Sequence, residues 1–504
     1  MQQPPHTKFI SGRRAAGATA AALAATAAGL LLALNGCGGP EPTHTDHKGP
    51  AHAGAAIRVS CPDKELAAVL TPLAKTWAGR AGATVEVATD PMAPGDAADV
   101  GVIPAADLGA WADRGELVPV PSAVKANPAY DDSDVIRAYR EHLCGWGGQT
   151  LALPLAGDAA VVVYRADRFA EERAKAKFGR PPQPPATWED FAALAELFAG
   201  LDGKPSVALP ADPARLTDLF FRVAADYDRR ALNQVELAKI RTDPNFEAEV
   251  LSFQFRVDTG KPRLGSPGFV EAARWLAGLR DKRCLPDAPG DPVAALAEGR
   301  AVLAVLSLAE LARLPREGGM VSTRFGIGPQ PPAARVYFDP AGKPVARPNY
   351  VPYFAGGRLG VVRTRCPRPE AAFDLLADLG GPARSQELVS EARLGVGPFR
   401  ASQLHRDRLV VWLGYGLDAD RSKQLQESMQ RGLADDVTNP AFGLRCPDHA
   451  DLTAALAAEL RRLVGGEEKD AAQAMARAVA AWEKLGERVP ADKLLAWRRR
   501  AAGL

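Results

Sequence analysis

The sequence lacks several patterns that would indicate an enzyme or a metal protein. No two cysteines stand in CxxC spacing, which argues against a thioredoxin-like redox site and against most zinc sites. The GxSxG, HExxH, P-loop and GxGxxG patterns are also missing. The formal net charge is only +2, so nucleic acid is not an expected partner. We therefore expect no catalytic residues, no cofactor and no bound metal.

After Leu34 the sequence contains no uncharged apolar run long enough to span a bilayer. The run before it, Ala15–Leu34, follows Arg13 and Arg14, as in an export signal. It continues into Leu-Asn-Gly-Cys37, which resembles the lipobox of bacterial lipoproteins. That resemblance implies a signal over residues 1–37 and an acylated Cys37 that anchors the exported chain to a bacterial membrane. A transmembrane anchor is the alternative, and the export route stays open.

Residues 38–55 are rich in Gly, Pro, His and Thr and have no apolar periodicity, which predicts a flexible tether. The composition after the tether is that of a globular protein, with 47% hydrophobic and 24% charged residues over the whole sequence. An exported protein lies in an oxidising compartment, which permits up to two disulfides. Their pairing is open among the five remaining cysteines, Cys61, Cys144, Cys284, Cys366 and Cys446.

Apolar, β-branched segments alternate with amphipathic segments, which predicts an α/β fold with mostly parallel sheets. Helix-forming residues begin near Leu66, and Pro72 is expected to kink or restart that helix. The C-terminal part is expected to be entirely helical. The predicted strands include Ile57–Ser60, Thr84–Val87, Val100–Ile103, Ala159–Tyr164, Ala301–Leu306, Phe325–Ile327 and Leu359–Val362.

Four stretches in this order resemble family 1 of the extracellular solute-binding proteins, the maltose-binding-protein-like group that serves ABC importers. They are Ala98–Leu117, Leu153–Asp167, Pro185–Phe191, and Ala294–Val305 with Pro369–Leu376. The resemblance implies a monomer with two α/β lobes and a ligand cleft between them. Residues 56–157 and 357–397 would form the first lobe, and residues 158–356 and 398–504 the second. The chain would cross between lobes near Pro154–Ala159, Phe354–Arg358 and Gly395–Phe399.

The resemblance also implies which residues meet the ligand, for which a sugar or oligosaccharide is favoured. Asp63 and Lys64 follow the first strand like a polar pair of sugar binders, although Asp63 is equally suited to cap a helix. Asp158 lies at the first crossing, where an acid can accept hydroxyl protons. Tyr350, Tyr353 and Phe354 precede the second crossing as an aromatic platform for a sugar ring, or as simple packing.

Two departures from the maltose binders count against a simple maltose-like ligand. Ile103 and Ala106 stand where an aromatic and an acid are usual, and Leu308 stands where a stacking tryptophan is common. A ligand-free lipoprotein that uses the same fold as a scaffold or sensor is therefore the alternative, and a hydrolytic enzyme is a more distant one. An open cleft lined by Asp158 and the Tyr350 region would favour the binding protein, whereas a cleft filled by side chains would favour the scaffold.

Overall fold

The computed structural model describes residues 51–240, 250–337, 342–433 and 437–504, all within one compact unit, Gly49–Leu504. The signal, the lipobox and most of the predicted tether lie outside the described residues. The strands are β1 Ala56–Ser60, β2 Thr84–Ala88, β3 Val100–Pro104, β4 Gly145–Trp146, β5 Gln149–Thr150, β6 Leu153–Gly157, β7 Ala160–Arg165, β8 Val207–Ala208, β9 Leu303–Ser307, β10 Arg316–Glu317, β11 Met320–Val321, β12 Phe325–Gly328, β13 Ala333–Val336, β14 Val345–Asn349, β15 Tyr353–Phe354, β16 Gly357–Val362 and β17 Ala441–Phe442.

The α-helices among the described residues are Lys64–Ala81, Leu108–Asp113, Ser122–Lys125, Ala166–Phe169, Glu172–Phe178, Trp188–Asp202, Pro213–Asp228, Gln234–Ile240, Pro267–Asp281, Pro292–Ala297, Leu308–Ala312, Pro369–Gly380, Pro382–Ser390, Leu409–Leu413, Ala419–Gly432, His449–Gly465, Ala471–Gly486 and Ala491–Ala501. None of these helices is long and apolar enough to cross a membrane.

The first lobe is built on a five-stranded sheet with the order β2-β1-β3-β16-β6. Strands β1, β2 and β3 are parallel, whereas β16 is antiparallel to both β3 and β6. In this first sheet the expected parallel pairing therefore holds for β1, β2 and β3 and not for β16. The reason is that β16 comes from much later in the chain and returns to this sheet in the opposite direction.

The first long helix, Lys64–Ala81, covers this sheet with a buried apolar face that includes Leu66, Leu70 and Trp77. Pro72 lies inside this single helix, so the expected restart does not occur. Packing of the buried face outweighs the hydrogen bond that proline removes. Residues 51–55, which the sequence assigned to the tether, pack beside the end of this helix, where the backbone N–H of His52 donates to the carbonyl of Ala81.

The second lobe is built on a four-stranded sheet with the order β12-β7-β9-β8. Strand β7 is antiparallel to β9 and β12, and β8 is parallel to β9. The helices Pro213–Asp228 and Pro267–Asp281 pack against each other in this lobe. Two C-terminal helices complete it, because His449–Gly465 packs on the first of that pair and Ala471–Gly486 on the second. The predicted helical extension is thus part of the second lobe.

In the described part of the chain, three segments connect the two sheets, and they pass near Gly157, Gly356 and Gly397. Strand β6 of the first sheet ends at Gly157, and β7 of the second begins at Ala160. Gly157 also forms an antiparallel bridge with Gly397, in which each backbone N–H donates to the other carbonyl over 2.8 Å. At the remaining connection Gly356 and Gly357 have φ angles of 152° and 129°, which residues with a Cβ rarely adopt.

Candidate functional site

Both sheets turn one edge toward these connections. In the first sheet β1 ends at Ser60 and β3 at Pro104, where Arg358 at the start of β16 is the partner of Pro104. In the second sheet the end of β9 lies beside the start of β7, since Ser307 pairs with Ala160. Loops that follow strand ends at such an edge are where open α/β folds place ligands. We call five polar residues near these strand ends the interlobe site: Asp158, Arg215, Asp218, Glu310 and Tyr353.

Asp158 lies in the connection between β6 and β7 and is half-buried. Its backbone N–H donates to the hydroxyl of Tyr139 over 2.9 Å, which holds the connection in place. Within the described part of the chain, no group donates a hydrogen bond to its carboxylate. The two carboxylate oxygens are therefore available to hydrogen-bond donors from outside the protein.

Arg215 is the cation of the interlobe site. Its Nη2 lies 3.0 Å from Oε2 of Glu310, which also accepts the backbone N–H of Ser307 over 2.7 Å. Burial lowers the pKa of the Arg215 guanidinium, but Asp158, Glu310 and Asp218 together raise it above its ordinary value. The guanidinium thus pairs directly with Glu310 and interacts electrostatically with Asp158 and Asp218.

Asp218 lies one turn after Arg215 on the helix Pro213–Asp228. Burial raises the pKa of its carboxyl to about 6, with Arg215 acting in the opposite direction and Asp158 adding to the rise. The hydroxyl of Tyr353 donates to its Oδ1 over 2.9 Å. Asp158 and Asp218 thus repel each other electrostatically, and a hydrogen-bond donor at either carboxylate relieves that repulsion.

On the first lobe, Asp63 caps the helix Lys64–Ala81, because its Oδ1 accepts the backbone N–H of Leu66 over 3.2 Å. Its other oxygen lies 3.7 Å from Nη2 of Arg358. Lys64 is exposed, and none of the described residues forms an ion pair or hydrogen bond with its ammonium. The structure thus assigns a capping role to Asp63, pairs its second oxygen with Arg358, and leaves Lys64 exposed.

The three aromatic candidates occupy different environments. Tyr350 is half-buried, with the guanidinium of Arg431 5.1 Å from its ring centre. Tyr353 is buried with its hydroxyl on Asp218. Phe354 is only 1% exposed and packs against Tyr139 and Phe442, so its ring is part of the core. Among these three rings, only that of Tyr350 is partly accessible, and Arg431 lies against it.

Sequence reasoning missed Arg215, Asp218 and Glu310. The sequence contains a signal for Glu310 and for Arg215. Ser307 and Glu310 form a capping box where β9 ends, and Asp212 caps the helix that carries Arg215. Polar residues in the first turn of a helix that follows a strand are candidates for this edge of a sheet.

The five cysteines in the described part of the chain are all free and buried, so the permitted disulfides are not formed. His142 and His449 are not part of the interlobe site. Burial lowers the pKa of His142 to about 4, with Arg445 adding to that effect, and Nε2 of His449 lies 2.9 Å from Asp107. In the described ranges, no group of three His, Cys, Asp or Glu side chains is arranged to hold a metal ion.

The sequence profile of the bacterial extracellular solute-binding proteins matches residues 82–407, which is more than half of the chain. No functionally curated protein matches the sequence.

Several solved structures share the fold. The GacH receptor of Streptomyces glaucescens, solved without ligand and with acarbose, is 14% identical, with a TM-score of 0.58 over 87% of this chain and 100% of that one. The cyclic α-maltosyl-1,6-maltose binding protein of Arthrobacter globiformis is 16% identical, with a TM-score of 0.58 over 86% and 100%. An ABC transporter solute-binding protein of Agrobacterium radiobacter in complex with ribitol is 17% identical, with a TM-score of 0.56 over 86% and 99%. These similarities confirm the predicted two-lobed fold.

Proposed function

The chain belongs to the bacterial extracellular solute-binding proteins, and from that premise we propose that it captures a carbohydrate-type ligand between its lobes and delivers it to an ABC importer. The observation that carries the proposal is the interlobe site, where the charges of Asp158 and Asp218 act on Arg215 near the connection between the sheets. The solved relatives named above bind acarbose, a cyclic maltosaccharide and ribitol, which supports a polyhydroxylated ligand.

The chemistry of the interlobe site suits hydroxyl groups. A carboxylate accepts hydrogen bonds from two neighbouring hydroxyls, and each bond to a charged group contributes about 1.5–3 kcal/mol. Asp158 has both oxygens available, and Asp218 uses one oxygen for the hydroxyl of Tyr353. The few exposed aromatic groups favour a small sugar or polyol that is held by hydrogen bonds over a long oligosaccharide that needs several stacking rings.

Capture would act through the relative position of the lobes. A ligand that contacts both lobes binds the closed form better than the open form and shifts the population toward closure. Asp63, Lys64 and Arg358 would complete the site from the first lobe. An importer that recognises the closed form would then receive loaded protein in preference to empty protein.

Export and anchoring complete the proposal. The chain would act as a monomer outside the cytoplasmic membrane, held by acyl chains on Cys37. Two or more such chains anchor stably, because each buried methylene contributes roughly 0.8 kcal/mol. Membrane fractionation and mass spectrometry of the N-terminal peptide test this part. A Cys37→Ser variant should lose both the acyl mass and the membrane association, and an unmodified Cys37 in the membrane-bound protein would contradict it.

The test of ligand binding is a thermal-shift screen of sugars, polyols, amino acids and anions. A ligand at a hundredfold excess over its dissociation constant should stabilise the protein by about 2.7 kcal/mol. We expect a shift with one class of polyhydroxylated compound, loss of that shift in Asp158→Ala, and retention in Asp281→Ala, which removes an exposed acid that is not part of the interlobe site. A shift confined to amino acids or anions would contradict the carbohydrate assignment. Silence from every compound would favour the scaffold alternative.

A further inference from the structure

The last helix, Ala491–Ala501, contacts both lobes. On the first lobe its partner is Asp113, the last residue of the helix Leu108–Asp113 that follows β3. Nε1 of Trp497 donates to Oδ1 of Asp113 over 2.7 Å, and Nζ of Lys493 lies 3.1 Å from Oδ2. One carboxylate of the first lobe therefore receives two groups from the C-terminal helix.

The same helix is fixed to the second lobe by Arg498. Its Nη1 and Nη2 donate to the two oxygens of Asp448, each over 2.6 Å, and its guanidinium carbon lies 4.0 Å from the ring centre of Phe255. Asp448 directly precedes the helix His449–Gly465 of the second lobe. Because the Arg498 side chain is only 1% exposed, this bidentate pair is protected from water and is a firm attachment.

A buried guanidinium adds to the contact between the C-terminal residues and the first lobe. Nη2 of Arg445 donates to the carbonyl of Ala501 over 2.6 Å, while its Nη1 donates to the carbonyl of His142 over 2.8 Å. His449 meets Asp107 of the first lobe over 2.9 Å. A Cβ at Gly109 would overlap the carbonyl oxygen of Arg445, so the two backbones are in close contact here.

We propose that the helix Ala491–Ala501 is a strap that restrains rotation of the first lobe relative to the second. The lobes are joined by three connecting segments, and the strap is an additional link between them that is separate in sequence. Rotation about the connections has to break the contacts to Asp113 or move the strap away from Asp448. The strap therefore narrows the range of interlobe distances, and through that range it influences how readily a ligand is enclosed.

The test is a distance measurement that needs no ligand, so it is independent of the proposed binding function. Spin labels are placed on the full chain, with Cys37 replaced by serine, at Lys75→Cys in the first lobe and Lys177→Cys in the second, both exposed positions. The buried native thiols should remain unlabelled. The distribution of distances is measured by pulsed electron paramagnetic resonance.

The test variant is Lys493→Ala with Trp497→Phe, which removes both contacts to Asp113 and leaves the Arg498–Asp448 pair. The matched control is Arg488→Ala, which removes an exposed pair with Asp451 inside the second lobe. We expect a broader distribution in the test variant and an unchanged one in the control.

A second variant, Asp113→Asn, removes the charge from the first-lobe side and keeps an acceptor for Trp497. This variant replaces the double variant in the distance measurement if circular dichroism shows that the double variant does not fold. We expect broadening here too, because the ion pair with Lys493 is lost. Distributions that match the wild type in a folded double variant and in Asp113→Asn would overturn the proposal.

Discussion

The hydroxyl of Tyr353 donates a hydrogen bond to Oδ1 of Asp218 over 2.9 Å. Tyr353 lies just before the connection at Gly356 and Gly357, whereas Asp218 belongs to a helix of the second lobe. The bond therefore joins a segment that runs between the lobes to the carboxylate with a pKa of about 6. Asp218 therefore holds this segment through Tyr353 and also contributes to the charge of the interlobe site.

We predict that Asp218 gives stability a distinctive pH dependence. Its pKa is about 6 in the folded protein against 3.8 for an ordinary aspartate, so between those values the folded state binds more protons than the unfolded state. The contribution of this group to the free energy of unfolding therefore falls as pH rises through that window. Asp218→Asn keeps an acceptor for Tyr353 but has no carboxyl group that titrates.

The measurement is urea unfolding of both proteins at pH 4.5 and pH 7. The stability of Asp218→Asn relative to wild type should increase from the lower to the higher pH. Asp258→Asn is the control, because hydrogen bonds from Arg256 lower the pKa of Asp258, so this acid is ionised at both pH values and its difference from wild type should not change between them. If the difference in the free energy of unfolding between wild type and Asp218→Asn is the same at both pH values, the pKa of Asp218 is not raised by burial and the prediction is wrong.

A second prediction concerns the close contact at the first connection. A Cβ at Gly157 would overlap the carbonyl oxygen of Pro398 and would lie 2.8 Å from the hydroxyl of Tyr139. Overpacking of this kind costs about 1–3 kcal/mol, so Gly157→Ala should lower the free energy of unfolding by that amount.

Gly79 provides the matched control, because it lies inside a helix and a Cβ there would meet nothing within 4 Å. Gly79→Ala should stabilise the protein by about 0.5–1 kcal/mol. Chemical denaturation of the three proteins checks both signs. Equal stability of Gly157→Ala and wild type would mean that the connection has room that the structure does not show.

A third prediction concerns the thiols. Burial raises the pKa of Cys61 and Cys446 to about 12 and that of Cys284 to about 11, so almost no thiolate is present at neutral pH. Alkylation of the native protein should modify essentially none of the five buried cysteines, and alkylation after unfolding without reductant should modify all of them. Mass spectrometry counts the modified residues. Fewer than five in the unfolded, unreduced sample would reveal a disulfide that the structure lacks.

The local elements could be read from the sequence because their signals are short-range. The apolar run of β7 is buried throughout Val161, Val162 and Val163, as a continuous run of β-branched residues predicts. The stripe Leu452, Leu456, Leu460 and Leu463 is buried as its helical spacing predicts. Asp158 was placed at the interlobe connection from a motif, and its role as a ligand contact stays a prediction.

The strand directions and the composition of the interlobe site required the folded chain. Strand β16 pairs with β3 from more than 250 positions away, and no local pattern indicates its direction. Arg215, Glu310 and Asp158 come from three separate segments, and their mutual electrostatics exist only after the two sheets have formed. Pro72 was misjudged because a local rule was applied where tertiary packing dominates.

The sequence by itself thus determined the α/β class, the helical C-terminal part and the family, because periodicity and motifs are properties of neighbouring residues. Tertiary structure alone decided that the charges of three carboxylates would act on the guanidinium of Arg215, and that Trp497 would reach Asp113 across 384 positions. Such pairs form only when long-range packing brings distant segments together, and the free energy that selects them belongs to the whole folded chain.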